Sequence, residues 1–355
     1  MKQRALITGI NGQDGSYLAE LLLAKGYEVY GMVRENAIEN PQQRLIRLRD
    51  VLDRIRLYVA SLENHASIYN MVESIRPHEC YHLAAHSHNS YSFDDEFSAL
   101  RTNIDGTHYL LSAIRKFAPS CRFYFAGSSE MFGKVEANPQ CETTPFHPHS
   151  LYGISKVAGY YLTRNYREAN RIHACTGILF NHESPRRGPE SITRKITSGI
   201  AAILAGKADR LRIGNLKTKH DWGHSREYVD AMWMMLQRAV PDDYVIASGE
   251  AHSVQQFAKT AFQHAGLDWR KHIEVDGNSH RPSEDNYLLG DYTKARDAFG
   301  WAPRIRFADL VAEMVDADCA ALGIRSPSSP TAASSQVTKE NSGPQTAPAY
   351  KSATV

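Results

Sequence analysis

Few features of the sequence suggest an extracellular, membrane or nucleic-acid-binding protein. The five cysteines are scattered and form no C-x-x-C pair, so we expect reduced thiols rather than a disulfide framework or a zinc site. The apolar runs are too short to span a bilayer, and the net charge of +2 gives no strong attraction to nucleic acid or anionic membranes. The sequence has no internal repeat. Residues 1–4 leave no room for a signal peptide before the first apolar run, so we expect a cytoplasmic protein.

A glycine-containing pattern stands at the start of the chain. An apolar run over residues 5–8 leads into a turn with Gly9, Gly12 and Gly15, and an amphipathic stretch then continues to Gly26. This order predicts a strand, a phosphate-binding turn and a helix, followed by a second strand over residues 28–33. The free N–H groups and partial positive charge at a helix N-terminus suit a pyrophosphate, so the pattern predicts a dinucleotide site.

Strand and helix patterns then alternate along the chain. Strands are predicted over residues 55–61, 79–85, 122–127, 174–180 and 244–247, and helices over residues 68–75, 102–116, 254–265 and 307–322. The alternation predicts an α/β fold, a Rossmann-type doubly wound parallel sheet with a smaller C-terminal substrate-binding lobe. We expect residues 1–180 to bind a cofactor, with later segments returning to that domain, and residues 181–325 to bind substrate. Residues 326–355 are rich in Ser, Pro, Thr and Ala, which predicts a disordered tail.

Arg34 follows the second predicted strand, where NAD-specific folds carry an acidic residue on the ribose 2′-hydroxyl. An arginine at this point can contact a 2′-phosphate, so it favours NADP as the cofactor. Glu35 is its neighbour and weakens this interpretation, and a solvated loop cation is the alternative.

Three histidines, His82, His86 and His88, lie close together around the end of the strand predicted at residues 79–85. No cysteine or carboxylate completes a set of metal ligands, so we expect no metal site. Ser87 and His88 are better candidates for facing a substrate or the next helix. The small residues in the turn would let a cofactor lie close to the backbone.

Four polar residues near the end of a central strand are candidates for catalysis. Ser128 and Glu130 follow the strand predicted at residues 122–127, at the edge where open α/β sheets carry their chemistry. Tyr152 and Lys156 are four residues apart, so they share one face of a helix. An ammonium group near a phenol favours the phenolate and lowers the pKa of the phenol. A Y-x-x-x-K pair also occurs by chance, and an ordinary surface pair is the alternative.

These motifs together resemble the extended short-chain dehydrogenase/reductase family, and within it the dehydratases that act on GDP-linked sugars. The resemblance covers residues 5–322 and excludes the tail. The glycine turn and the Tyr152–Lys156 pair are marks of the whole family. The narrower marks are GQDGSYL at residues 12–18, Ser129-Glu130 before Gly133-Lys134, FNHESPRRG at 180–188, TRKI at 193–196, DWGH at 221–224 and RPSE at 281–284.

The resemblance implies an NADP-dependent lyase that converts GDP-mannose to GDP-4-keto-6-deoxymannose. Tyr152, assisted by Lys156, would take the proton of the sugar 4-hydroxyl while a hydride leaves C4. Glu130 would then remove the C5 proton and help water leave from C6, to which the hydride returns. Ser128 would donate a hydrogen bond to the C4 oxygen.

The resemblance also implies two sets of binding residues. The cofactor set is Gly9, Asn11, Gly12, Gln13, Asp14, Gly15, Arg34, Leu83, Ala85, Tyr152, Lys156, His182 and Arg187. The substrate set is Ser87, Asn181, Lys195, His220, Arg281 and Glu284. The expected partners are a GDP-linked sugar and further copies of the chain, in a dimer or tetramer, with neither nucleic acid nor membrane.

Several departures from the family pattern keep other interpretations open. Ser128 stands where the family has Thr, and His220 stands where it has Arg, which removes a permanent charge from the substrate side. Arg34 is single where the family has two arginines that reach a neighbouring subunit. The alternatives are the same dehydration of a GDP-heptose or another GDP-hexose, a sugar-nucleotide epimerase or reductase, and a cofactor-sensing protein without turnover.

Overall fold

The computed structural model describes residues 2–86, 93–136, 138–275 and 287–325, and for residues 93–99 it describes the backbone alone. The tail predicted at residues 326–355 lies outside the described residues. Helices and strands alternate through the first half of the described chain, as the sequence pattern predicts.

The strands are β1 (Arg4–Thr8), β2 (Glu28–Val33), β3 (Arg56–Val59), β4 (Glu79–His82), β5 (Arg122–Ser128), β6 (Ala174–Leu179), β7 (Asn181–Glu183), β8 (Leu211–Ile213), β9 (Lys219–His224), β10 (Tyr244–Ile246), β11 (Ala251–Ser253) and β12 (Ile273–Val275). The helices are α1 (Gln13–Ala24), α2 (Glu35–Glu39), α3 (Pro41–Arg44), α4 (His65–Ile75), α5 (Phe93–Phe117), α6 (Leu151–Asn170), α7 (Ile192–Leu204), α8 (Ser225–Gln237), α9 (Val254–His264), α10 (Trp269–His272), α11 (Thr293–Phe299) and α12 (Phe307–Ala321). Short 3-10 helices lie at Ile46–Leu48, Leu52–Arg54 and Ser129–Met131.

Seven strands form the central sheet in the order β10-β6-β5-β4-β1-β2-β3, and all neighbouring pairs are parallel. The chain runs from β1 outward to β3, then returns to β4 and runs the other way to β6. This reversal opens a crevice at the carboxyl ends of β1 and β4, where open α/β sheets bind their ligands. The Rossmann-type doubly wound fold predicted from the sequence is confirmed.

Helices cover both faces of this sheet, which explains why β4 and β6 are buried along their whole length. On one face, α1 and α8 bury Leu18, Leu22 and Met232 with residues of β1 and β6. On the other face, α4 and α5 bury a second cluster that includes Met71 and Ile114. The sheet is therefore held between two apolar layers, and its carboxyl edge is left for the site.

A smaller region follows β6. It has a three-stranded sheet, β11-β9-β7, and a parallel pair, β12 and β8. Helices α7, α9 and α12 enclose an apolar cluster around Trp222, Phe257 and Met314. β10 belongs to the large sheet, where it pairs with β6. The chain thus crosses between the two regions more than once.

Two predicted boundaries differ from the structure. Helix α5 begins at Phe93, nine residues before the predicted start, because the polar residues of its first turns hide the helical period. The strand predicted at residues 174–180 is followed by no further predicted strand before residue 244, yet β7 occupies Asn181–Glu183 and pairs in parallel with β9, placing Asn181 opposite Trp222. A three-residue strand whose partner lies about forty positions later carries no local signal.

Candidate active site

The glycine turn joins β1 to α1 at the crevice. Gly9 has a φ of +72°, and a Cβ there would lie 2.9 Å from the backbone nitrogen of Ala84. A Cβ on Gly15 would lie 2.3 Å from the carbonyl oxygen of Gly9. Gly12 is the N-cap of α1 and makes no side-chain cap hydrogen bond, so the N–H groups of the first turn of α1 are left for a ligand. The turn therefore fits a cofactor pyrophosphate.

One cleft opens beside this turn at the carboxyl ends of β4, β5 and β6. It brings together all four candidate catalytic residues and several candidate binding residues from six parts of the chain. Its polar and charged lining includes Asp14, Ser128, Glu130, Tyr152, Lys156, Asn181, His182, Arg187, Glu190 and Ser191, and Leu83 and Ala85 also line it.

Glu130 is positioned by the short 3-10 helix that follows β5. Ser128 caps this helix, and its Oγ accepts a hydrogen bond of 3.2 Å from the backbone nitrogen of Glu130. Ser150 Oγ lies 3.4 Å from Glu130 Oε2 and donates to it. Gly153 permits the close approach of α6, since a Cβ there would lie 2.6 Å from the carbonyl oxygen of Glu130. The carboxylate is thus held at the start of α6.

Tyr152 and Lys156 lie on α6, as predicted. Lys156 is 4% exposed, and its Nζ donates a hydrogen bond of 2.8 Å to the carbonyl oxygen of Ala126. The same Nζ is 5.6 Å from the centroid of the Tyr152 ring. Burial lowers the pKa of Lys156 to about 8, because the ammonium loses its hydration.

The pKa of Tyr152 shifts in the direction opposite to the prediction. Burial is the largest cause, and the charge of Glu130 adds to it, so that the pKa of Tyr152 rises to about 12. A hydrogen bond with Ser128 and the charge of Arg187 act in the other direction but do not outweigh them. In the chain by itself, burial therefore outweighs the groups that lower the pKa of this phenol, and the ammonium of Lys156 donates to the carbonyl oxygen of Ala126.

Asp14 and His182 form an ion pair across the cleft, with Asp14 Oδ2 2.8 Å from His182 Nε2. Burial alone would raise the pKa of Asp14, but the charge of His182 and hydrogen bonds from His182 and Ser225 lower it to about 2. Burial alone would lower the pKa of His182, and the contact with Asp14 raises it instead. The carboxyl group of Asp14 is therefore ionised near neutral pH, and its contact favours the protonated form of the His182 ring.

Further contacts hold the loop after β6 against the glycine turn. Gln13 Nε2 donates to the carbonyl oxygen of His182 at 3.1 Å, and Ser184 Oγ donates to Gln13 Oε1 at 2.7 Å. Arg187 reaches Glu183 at 3.2 Å, and the charge of Glu183 is the largest cause that raises the pKa of Arg187. These contacts direct Arg187 into the cleft.

Arg34 lies at a second pocket, on the side of β2. Its Nη2 is 2.6 Å from His86 Nε2, and Glu35, Ser61 and Asn64 line the same pocket. The pocket is open to solvent at the end of β2, where the adenosine ribose lies in folds of this type. The side chain of Asn11 donates a hydrogen bond of 3.2 Å to the carbonyl oxygen of Arg44.

The four candidate catalytic residues all line the cleft, whereas the described candidate substrate residues do not all line it. Asn181 lines the cleft, but Lys195 is exposed on α7 and His220 stands in β9 with its ring 5.1 Å from that of Trp222. Ser87, Arg281 and Glu284 lie outside the described residues. Arg186, which stands beside the candidate Arg187 in the chain, pairs with Glu20 at 2.5 Å.

Sequence reasoning missed three residues of the site. Glu190 and Ser191 line the cleft, and Ser225 Oγ donates to Asp14 Oδ1 at 2.6 Å. Glu190 and Ser191 lie within a dozen residues of Asn181, and that proximity was the available signal. Ser225 lies more than two hundred positions from Asp14, and nothing local marks it.

Neither a cluster of metal ligands nor a helix able to span a membrane occurs in the part of the chain that the structure describes. Among residues 2–86, 93–136, 138–275 and 287–325, no group of three or more His, Cys, Asp or Glu side chains could hold a metal ion. None of the helices in these same ranges is both long and apolar enough to cross a membrane.

The family model and the sequence relatives agree on one family. A family model described as GDP-mannose 4,6 dehydratase matches residues 6–314. The chain is 44% identical over 326 residues to GDP-mannose 4,6 dehydratase 1 of Arabidopsis thaliana, covering 88% of this chain and 89% of the relative. It is 43% identical over 346 residues to the human GDP-mannose 4,6 dehydratase, covering 88% and 91%. Its fold matches a dTDP-glucose 4,6-dehydratase of Streptomyces venezuelae solved with NAD, with a TM-score of 0.78, 21% identity and coverage of 89% and 96%.

Proposed function

The chain belongs to the GDP-mannose 4,6 dehydratase family, and from this premise we propose that it removes water from GDP-mannose to give GDP-4-keto-6-deoxymannose. It is then an NADP-dependent hydro-lyase of nucleotide-sugar metabolism. The observation that carries the proposal is the presence of Ser128, Glu130, Tyr152 and Lys156 in one cleft beside the glycine turn. This set contains the acid–base groups that both a C4 oxidation and a C5–C6 elimination require.

The cofactor site fits NADP at both ends. The uncapped first turn of α1 suits the pyrophosphate, and Arg34 suits a 2′-phosphate at the second pocket. NADP held by these residues would supply a nicotinamide able to take a hydride from C4 of the sugar and give it back at C6. We assign binding of the cofactor to the glycine turn, Asp14, Arg34, Leu83, Ala85, His182 and Arg187.

Tyr152 acts in the first step as the base for the 4-hydroxyl proton. Its own phenol has a pKa of about 12 in the chain alone, so the reaction needs further positive charge near the ring. Lys156 contributes an ammonium on the same face of α6, and Ser128 hydrogen-bonds the C4 oxygen as it becomes a carbonyl. The ketone that results makes the C5 hydrogen acidic.

Glu130 acts in the second step. Its carboxylate removes the C5 proton, and the carboxylic acid so formed donates a proton to the leaving 6-hydroxyl, which departs as water. One carboxyl group can do both because proton removal and proton donation are successive. When the hydride returns to C6, C5 takes up one proton, and the proton that Tyr152 took from the 4-hydroxyl balances it. The hydrogen bond from Ser150 limits the rotation of the carboxylate while it changes protonation state.

The division of labour between the two regions is also a proposal. We assign the cofactor to residues 1–180, with later segments that include His182 and Arg187 returning to that domain, and the substrate to residues 181–325. Asn181 supports this assignment from within the cleft, and Lys195, His220, Arg281, Glu284 and Ser87 are proposed to contact the GDP-sugar. His220 in place of the family's Arg supports a GDP-heptose or another GDP-hexose as the alternative substrate.

Mass spectrometry of products tests the proposal. The protein is incubated with GDP-mannose and substoichiometric NADP, and with a panel of other GDP-sugars and nucleotide sugars. A dehydratase gives a product lighter by one water and no net NADPH. Isomer formation without mass loss identifies an epimerase, consumption of stoichiometric NADPH identifies a reductase, and an unchanged panel identifies a protein without turnover.

We further propose that the protein forms a homo-oligomer, a dimer or tetramer, in the cytoplasm. Leu151, Ile154 and Tyr161 are 40%, 42% and 55% exposed on one face of α6, an apolar face that a second copy could cover. All five cysteines are free thiols, which supports a reducing compartment. Light scattering of wild type and Ile154→Arg measures the assembly.

A further inference from the structure

The pair formed by Asp14 and His182 has a role beyond cofactor contact. We propose that it is an imidazolium–carboxylate link that holds the cleft closed on the bound cofactor through the whole reaction. This inference rests on the proposed function, because a cofactor that lends a hydride and takes it back must not leave between the two steps. Asp14 and His182 act here as positioning residues.

The proton positions on His182 follow from its partners. Nδ1 is 2.7 Å from the carbonyl oxygen of Phe180, which can accept but not donate, so Nδ1 carries a proton. Nε2 is 2.8 Å from Asp14 Oδ2. The other oxygen of Asp14 receives hydrogen bonds from Ser225 Oγ at 2.6 Å and Gln13 Nε2 at 3.3 Å.

The carboxylate of Asp14 therefore has donors on both oxygens, and it lies in the first turn of α1, where a helix favours negative charge. An ionised Asp14 can only accept the hydrogen bond that it shares with His182, so Nε2 donates this bond and carries a proton as well. His182 then carries protons on both ring nitrogens and is an imidazolium.

The other titratable groups around the pair do not reverse this assignment. Arg187 approaches from the loop after β7 and disfavours the imidazolium, but the direct contact with Asp14 prevails. Tyr228 of α8 stacks on the imidazole with ring centroids 4.5 Å apart. Tyr152 of α6 and Tyr124 of β5 are phenols whose pKa is raised, so both are neutral near pH 7.

The pair and its hydrogen-bond donor Ser225 join three elements, and Asp14 and His182 line the cleft. Asp14 belongs to α1, His182 to β7, and Ser225 begins α8. β7 pairs with β9, so the link ties the glycine turn to the three-stranded sheet of the smaller region. Because both charged side chains line the cleft, separating its two sides requires breaking a charge-assisted hydrogen bond.

A second histidine–carboxylate pair nearby provides a matched control. His224 lies opposite Glu183 in the register of β7 and β9, and its Nε2 is 3.1 Å from Glu313 Oε2. Its Nδ1 accepts a hydrogen bond of 3.0 Å from the backbone nitrogen of Arg226 and so carries no proton. His224 is therefore a neutral imidazole, although it too faces a carboxylate.

Nitrogen-15 NMR of histidine-labelled full-length protein tests the proton assignment without any turnover. We expect the His182 signal, identified by its loss in His182→Gln, to show two protonated nitrogens at pH 7.5. His224 should show protonated Nε2 and bare Nδ1 in the same spectrum. A neutral His182 at pH 7.5 in the wild type would overturn the proposal, whatever the catalytic activity.

The rate at which NADP is released tests whether the pair holds the cleft closed. We expect NADP to dissociate about tenfold faster from Asp14→Asn than from the wild type, because the variant loses one charge-assisted hydrogen bond. Glu313→Gln should release NADP at the wild-type rate. In Asp14→Asn the His182 signal should become that of a neutral ring. An Asp14→Asn release rate within about twofold of wild type overturns the closing role, and if that variant does not fold, His182→Gln gives the same measurement.

Discussion

Glu130→Gln removes one negative charge from the cleft and keeps the shape of the side chain. Its two effects on the reaction act in opposite directions. A glutamine cannot take the C5 proton, so elimination should slow by about 10²–10⁴-fold, the usual contribution of a positioned acid–base group. Ser150 Oγ can still donate to the side-chain oxygen at this position, so the fold of the loop should be unchanged.

The same substitution should assist the first step. Burial and then the charge of Glu130 hold the pKa of Tyr152 at about 12, so removal of that charge lowers the pKa of the phenol. Oxidation at C4 should therefore proceed at neutral pH while elimination is blocked. Reduced cofactor and the 4-keto sugar should accumulate together in the variant, although neither accumulates in the wild type.

Stopped-flow absorbance of the reduced nicotinamide, with mass spectrometry of the quenched product, separates the two steps. The exposed Glu136, in the loop after the same 3-10 helix, provides the control, and Glu136→Gln should dehydrate GDP-mannose at the wild-type rate. Full dehydration by Glu130→Gln would remove this carboxylate from the mechanism. Failure of the variant to form reduced cofactor would show that Glu130 serves the first step as well.

Four other predictions concern the cleft, the glycine turn and the second pocket. Tyr152→Phe should lower hydride transfer by about 10²–10⁴-fold while NADP stays bound, and normal turnover would refute the base assignment. Activity of the wild type should fall as pH rises through about 8, since the buried Lys156 then loses the proton that makes it an ammonium; a pH–rate profile flat to pH 10 would contradict this. Gly15→Ala places a Cβ 2.3 Å from the carbonyl oxygen of Gly9, and should cost about 1–3 kcal/mol in denaturant unfolding. Arg34→Gln should weaken NADP about tenfold or more and leave NAD binding unchanged, as measured by calorimetry.

The sequence predicted the parts of the site that depend on local order. A strand, a glycine turn and a helix are contiguous, so Gly9, Gly12 and Gly15 could be placed at a phosphate site. Tyr152 and Lys156 share a helix face because of their spacing, and Glu130 follows a strand end. Each of these inferences uses residues within one or two elements.

The parts that could not be predicted depend on distant partners. β7 forms because β9 lies beside it, and the charge on His182 depends on Asp14 and on the carbonyl of Phe180. The raised pKa of Tyr152 comes first from burial, which the spacing to Lys156 does not reveal. The ion pair between Arg186 and Glu20 could not be predicted either, because Glu20 lies on a different element, far away in the sequence.

The position of β10 in the central sheet limits where the chain can be divided into parts that fold separately. Cofactor binding is assigned to residues 1–180, yet the outer edge of that sheet is completed only by residues 244–246, and the backbone nitrogen of Phe180 donates to the oxygen of Ile246. A polypeptide that stopped at residue 180 would leave the hydrogen-bonding groups of β6 bare, ready to recruit another strand and aggregate. Residues 1–180 expressed alone should therefore be insoluble. During synthesis, the central sheet can be completed only after some sixty residues beyond residue 180 have been added to the chain.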